Sequence, residues 1–138
     1  MYLLDTEVLA ELGRRQKIHP AVARWANSVT PLELFLSAIS LLEIEAEALR
    51  LEASEPAQGA ALRTWVDQKV IPAFDGRVLP VDLAVAQQSA RLHVLEVRAE
   101  RDALIAATAL VHRLVVVTRR AGEFKRLGVG VLDPWNEQ

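Results

Sequence analysis

Three carboxylates in this 138-residue chain stand where they can act together: Asp5, Glu43 and Asp102. Asp5 closes the apolar run Tyr2-Leu3-Leu4, Glu43 falls in the first helical turn after a second apolar run, and Asp102 opens an alanine-rich apolar helix. Ligands of open α/β sheets collect beyond the carboxyl ends of the strands, so residues at these positions point into one crevice. Unaided, they repel. Two carboxylates ~4 Å apart cost about 4 kcal/mol at an effective dielectric of 20, comparable with the stability of a small domain. A cation is therefore required. An all-oxygen set suits a hard divalent ion, Mg²⁺ or Mn²⁺, and a chain without cysteine has less to offer a softer metal. Such an ion lowers the pKa of a bound water and stabilises a phosphodiester under in-line attack. Taken singly, each acid also has a purely structural reading: helix cap for Asp5, capping box Ser40-x-x-Glu43, and helix-dipole partner for Asp102.

The elements that must position these acids alternate between strand and helix. Tyr2-Leu3-Leu4 lacks the period-2 pattern of a half-exposed strand, as expected of a strand covered on both faces. Val8, Leu9 and Leu12 continue it as a helix, Gly13 to His19 is a polar basic loop, and Pro20 opens a helix bearing Val22, Trp25 and Ala26. Leu32 to Ile39 reads as the second strand, followed by a helix to about Leu51. Another helix begins at Ser54-Glu55-Pro56 and runs to the turn Asp75-Gly76-Arg77. Val78 to Val81 is a short edge strand because of Pro80, and Asp82 caps the next helix. There Leu83, Ala86, Ala90, Val94 and Val97 form the expected inward stripe, leaving Leu92 and Leu95 as a second apolar face for a subunit. Asp102 to His112 is a buried helix, Leu114 to Val117 the most β-prone strand, Gly122 to Leu127 a short helix, and Val129 to Leu132 the last strand. The expected fold is α/β: a three-layer sandwich with a central, mostly parallel sheet of four to five strands and helices on both faces.

Composition bounds the reading further. The length suits a single domain over residues 1–138, and 51% hydrophobic with 25% charged residues argues for a folded globular chain. Zero cysteines exclude disulfides and agree with a reducing cytosol. Without a secretory pattern at the N-terminus or an apolar run of membrane-spanning length, the expectation is a cytoplasmic protein. A net charge of −2 rules out a polycation that coats nucleic acid, so any such contact is local. Most of the 16 basic residues are arginines, in the clusters Arg14/Arg15/Lys17, Arg98/Arg101 and Arg119/Arg120/Lys125/Arg126. Arginine suits phosphate or carboxylate recognition, although a solvated face explains any one cluster as well. His19, His93 and His112 have no ligand-like partners at helical spacing, and Trp25, Trp65 and Trp135 read as core or interface anchors.

The blocks L-L-D-T, L-S-A-I-S-L-L-E, G-R-V-L-P-V-D, D-A-L-I-A-A-T-A, V-V-T-R and D-P-W occur in this order over essentially the whole chain. Together they resemble the PIN domain, and within it the VapC/FitB-type toxins of bacterial toxin–antitoxin pairs. The most specific block is I-A-A-T-A with an aspartate three residues upstream. The resemblance implies a metal-dependent endoribonuclease, a homodimer, held inactive by a small antitoxin whose tail fills the acidic groove, with DNA reached only through that antitoxin. Asp5, Glu43 and Asp102 match the first three metal-coordinating acids of the family, and Thr6 matches the hydroxyl residue beside the first.

Two departures follow from the same comparison. Glu7 stands where many members carry asparagine, and Arg120 stands where the fourth acid often lies, in the run Thr118-Arg119-Arg120-Ala121-Gly122-Glu123-Phe124. Arg120 either neutralises the acidic cluster in place of a metal, or faces the substrate phosphate while Glu123, one helical turn on, restores the missing acid. The first reading describes a weakened nuclease that binds its partner, the second an active one-metal site with Thr6, Thr118, Arg119 and Arg120 at the substrate. A receiver-like or dehalogenase-like phosphotransfer domain shares an aspartate after its first strand, but the second aspartate close to Asp5 and the late lysine are missing.

Overall fold

A computed structural model describes residues 1–95 and 100–136. Five short strands alternate with helices: β1 (Tyr2–Leu4), α1 (Thr6–Leu12), α2 (Pro20–Ser28), β2 (Leu34–Ser37), α3 (Ala38–Ser54) and α4 (Pro56–Trp65). After α4 come a π-helical turn (Val66–Val70), α5 (Ile71–Ala73), β3 (Val78–Leu79), α6 (Leu83–Leu95), α7 (Glu100–His112), β4 (Val115–Val117), α8 (Ala121–Lys125) and β5 (Val131–Leu132). The sheet order is β3-β2-β1-β4-β5, and every pairing is parallel. The five-stranded parallel sheet is thus the one expected, with every strand in the same sense.

The register sets Leu3 and Leu4 of β1 opposite Val116 and Val117 of β4. Because successive side chains alternate across a sheet, Leu3 and Val116 enter one core, with α6, α7 and α8, while Leu4 and Val117 enter a second, with α1, α2, α3 and the π turn. Both cores are needed to cover a strand whose two faces are apolar. The neighbours of β1 are β2 on one side and β4 on the other, so the chain leaves β1 in one direction and returns on the opposite side. That reversal opens a crevice at the carboxyl ends of β1 and β4.

Two local expectations need correction. The strand expected over Leu32 to Ile39 ends at Ser37, whose hydroxyl accepts the Ile39 N–H at 3.0 Å and caps α3 three residues earlier than the proposed box. Ser40 therefore sits buried within the first turn, its hydroxyl without a partner among the described residues, and caps nothing. In α6 the inward face is Val85, Ser89 and Leu92; Leu83 is 75% exposed, and Ala86 and Ala90 also face out. Asp82 does cap this helix, accepting the Val85 N–H at 3.0 Å. The stripe is rotated because the larger Val85 and Leu92 fill the space beside α7 better than alanines do. Val97 and Arg98, with the side chains of Val94 and Leu95, lie outside the described residues.

α7 behaves as its composition suggests: Ala103, Ile105, Ala106, Ala107, Thr108 and Ala109 are all buried. Elsewhere, close helix approach rests on glycine, since a Cβ at Gly59 of α4 would lie 2.4 Å from the backbone nitrogen of Glu52 in α3.

Candidate active site

Asp5 continues the sheet by one bond beyond β1, its N–H donating to Val117 O at 2.9 Å, and then turns the chain into α1. The residue is 2% exposed, and its carboxylate accepts three hydrogen bonds. Oδ1 accepts the Thr6 N–H at 2.8 Å; Oδ2 accepts the Thr118 hydroxyl at 2.8 Å and Arg120 Nη2 at 3.3 Å. A carboxylate this deep is tolerable only with such partners. Asp5 is therefore the helix cap that its position suggested and also the floor of the crevice.

Thr6 links the first acid to the second, since its hydroxyl donates to Glu43 Oε1 at 2.7 Å. Glu43 is fixed from α3, with Arg101 Nη1 at 3.9 Å from its other oxygen. Asp102, in the first turn of α7, receives a bidentate fork: Arg120 Nη1 to Oδ2 at 2.8 Å and Nη2 to Oδ1 at 2.9 Å. Arg120 Nη1 also reaches Glu123 Oε2 at 3.4 Å, and the guanidinium lies 5.2 Å from the Phe124 ring centroid. The bond to Asp102 first, then the charges of Asp5 and Asp102, outweigh partial burial and hold the Arg120 guanidinium pKa above its usual value.

Asp5, Thr6, Glu43, Asp102 and Arg120 line one open cleft of about 740 Å³, together with Glu7, Ala10, Glu100 and Arg101. The site residues expected from the sequence thus divide. The three acids, Thr6 and Arg120 are brought together. Thr118 is fully buried beneath Asp5, so the direct substrate contact expected of it is closed, and it positions the carboxylate instead. Glu123 is half-exposed, does not line the cleft, and touches the cluster through Arg120. Arg119 stands at the rim, 3.8 Å from Glu7 and stacked 4.7 Å over the Trp135 ring. Arg101 and Glu100 complete the lining; their place at the start of α7 beside Asp102 was the available signal.

Oxygen donors of three carboxylates and one hydroxyl are the right chemistry for a hard divalent ion. The side chain that shapes the centre as it stands is Arg120, which takes both oxygens of Asp102 and shares Oδ2 of Asp5. Among the described residues, no three acidic or histidine side chains converge closely enough to form a ready ion-binding group. The donor types fit such an ion, and Arg120 now occupies oxygens of two of the three acids, Asp102 and Asp5.

The chain is 37% identical over 144 residues to Toxin FitB of Neisseria gonorrhoeae, covering 99% of this chain and 100% of that protein. It is 31% identical over 140 residues to VapC ribonuclease Y4jK of Sinorhizobium fredii, covering 98% of each. The solved structure of FitAB bound to an IR36 DNA fragment contains a chain that superposes with a TM-score of 0.87 at 32% identity, covering 100% of this chain and 98% of that one. Residues 2–129 match the PIN domain, and the chain belongs to that family.

Proposed function

We propose that this protein is a divalent-metal-dependent endoribonuclease, hydrolysing phosphodiester bonds of RNA as the toxin of a toxin–antitoxin module, and that residues 1–138 form one PIN domain. The observation that carries the proposal is that Asp5, Glu43 and Asp102, from three distant parts of the sequence, line one open cleft at the switch point of the sheet. Relatives named as a toxin and as a VapC ribonuclease support it. Asp5, Glu43 and Asp102 would hold Mg²⁺ or Mn²⁺, with Glu123 as an outer acid. Bound there, the ion supplies Lewis-acid chemistry, acidifying a water and offsetting charge on the phosphate.

The chain's own residues do the positioning. Thr118 and the Thr6 N–H fix both oxygens of Asp5, and the Thr6 hydroxyl orients Glu43, so the acids are aimed before substrate arrives. Arg119 and Arg101, both more than half exposed, sit where an RNA strand crossing the cleft meets them as phosphate contacts. The partners in this reading are RNA in the cytoplasm, a second copy of the chain, and an antitoxin that carries the complex to DNA, as the DNA-bound FitAB relative suggests.

A second reading is favoured by one observation: all four bonds from the Arg120 Nη atoms end on carboxylates, which would leave a site that binds an antitoxin and cuts nothing. Incubation of the purified chain with bulk cellular RNA and Mg²⁺ or Mn²⁺ separates the two. Discrete fragments that vanish with a chelator are expected. Intact RNA at every ion concentration, with folded protein free of any partner, would favour the binding role.

A further inference from the structure

We propose that Arg120 is a tethered counter-ion of the cleft and that it competes with a divalent cation for Asp102; this rests on the nuclease reading above. A guanidinium offers two hydrogens on each Nη, and all four are committed here: Nη1 to Asp102 and Glu123, Nη2 to Asp102 and Asp5. One side chain thus bridges carboxylates that arrive from the ends of β1, α7 and α8. It has no Nη hydrogen left for a phosphate. In this state Arg120 neutralises acids and does not bind substrate.

The arrangement is built rather than incidental. The Arg120 N–H donates to the Thr118 hydroxyl at 3.0 Å, the same hydroxyl that donates to Asp5, so backbone and guanidinium are tied to one acid. The buried ring of Phe124 lies beneath the guanidinium at 5.2 Å. Yet the side chain is 38% exposed, so it can swing to solvent without opening the core. Two of the acids it neutralises, Asp5 and Asp102, are among the three the ion requires. The fork takes a lone pair on each oxygen of Asp102 and so leaves that carboxylate a weaker ligand, and like charges in one cleft forbid both cations occupying it at full strength. Arg120 therefore keeps the ion-free cleft from repelling itself and weakens ion binding for the same reason.

Calorimetric titration of Mn²⁺ into the wild type, Arg120→Ala, Arg120→Lys and Arg119→Ala tests this without reference to cleavage. Arg120→Ala is expected to bind Mn²⁺ at least tenfold more tightly, a gain of about 1.4 kcal/mol. Arg120→Lys, which keeps the charge and loses the planar fork, is expected between the two and serves if the alanine variant does not fold. Arg119→Ala, which removes one nearby charge outside the cluster, is expected within about twofold of wild type. Equal Mn²⁺ affinity in wild type and both Arg120 variants overturns the competition and leaves the nuclease reading standing. Absence of Mn²⁺ binding in every protein overturns the metal reading itself and the competition with it.

Discussion

Thr118→Val tests how far the cleft depends on what lies beneath it. Valine matches threonine in shape, so the substitution removes a hydroxyl and little else. That hydroxyl is fully buried, donates to Asp5 Oδ2 at 2.8 Å and accepts the Arg120 N–H at 3.0 Å. A hydrogen bond to a charged group contributes about 1.5–3 kcal/mol, and water cannot replace it beside a carboxylate that is 2% exposed. The Arg120 N–H, only partly buried, adds up to about 1 kcal/mol, which the better burial of a methyl group roughly offsets. The net expectation is a loss of about 1.5–3 kcal/mol, or roughly 1 M in the urea midpoint at an unchanged slope. Thr108→Val is the internal control: this hydroxyl is equally buried but returns to the carbonyl of Leu104 one turn back at 2.8 Å, and its loss should cost less than about 1 kcal/mol. Urea denaturation of both variants decides the matter. A Thr118→Val protein within about 0.5 kcal/mol of wild type, or one no worse than Thr108→Val, would refute the reasoning.

Other expectations concern the scaffold. Gly59→Ala should destabilise by about 1–3 kcal/mol in thermal melts despite the better helix propensity of alanine, because its Cβ meets the Glu52 backbone at 2.4 Å and α3 must move away. Gly122→Ala, with nothing within 4 Å of its Cβ, should instead stabilise by about 0.5–1 kcal/mol; a loss would show that α8 is more crowded than it looks. Glu11 is a buried carboxylate that accepts the His19 N–H at 2.7 Å and Arg14 Nη1 at 3.0 Å, and the His19 bond above all lowers its pKa from the usual 4.5. A lowered pKa gives stability that is present above pH 4.5 and is lost as pH falls through the folded value. Glu11→Gln should accordingly be less stable than wild type at about pH 7, the gap closing in urea titrations below about pH 4.5; a gap constant down to about pH 3 would contradict this role.

What could be read from the chain was what local chemistry decides. An apolar run ending in Asp5, the β-prone Val115-Val116-Val117 and the alanine-rich α7 each announce their place because burial and strand or helix preference agree. Ser37 and Ser40 show where this stops. Both are serines near a strand end, and only the point where the sheet releases the backbone selects which one caps α3. The phase of α6 was hidden similarly, since a helix of alanines, valines and leucines carries two apolar stripes and its neighbours choose between them. Glu11 gave no signal, because its main partner is a backbone N–H eight residues away across a turn. At the cleft, the acids were legible by type and position. That Arg120 neutralises acids, here Asp5, Asp102 and Glu123, was one of two readings the sequence left open, since the choice depends on α7 and α8 meeting in space.

The most direct measurement is RNA cleavage by the purified chain beside Asp5→Asn, both shown folded by circular dichroism and assayed with Mn²⁺. The asparagine amide keeps the size of the side chain and an oxygen for the Thr6 N–H, while the negative charge at the floor of the cleft is gone. If the three acids form the catalytic centre, wild type cuts and Asp5→Asn falls to the level of the chelator control. Undiminished cleavage by folded Asp5→Asn would contradict it and place the nuclease chemistry, if any, outside this cleft.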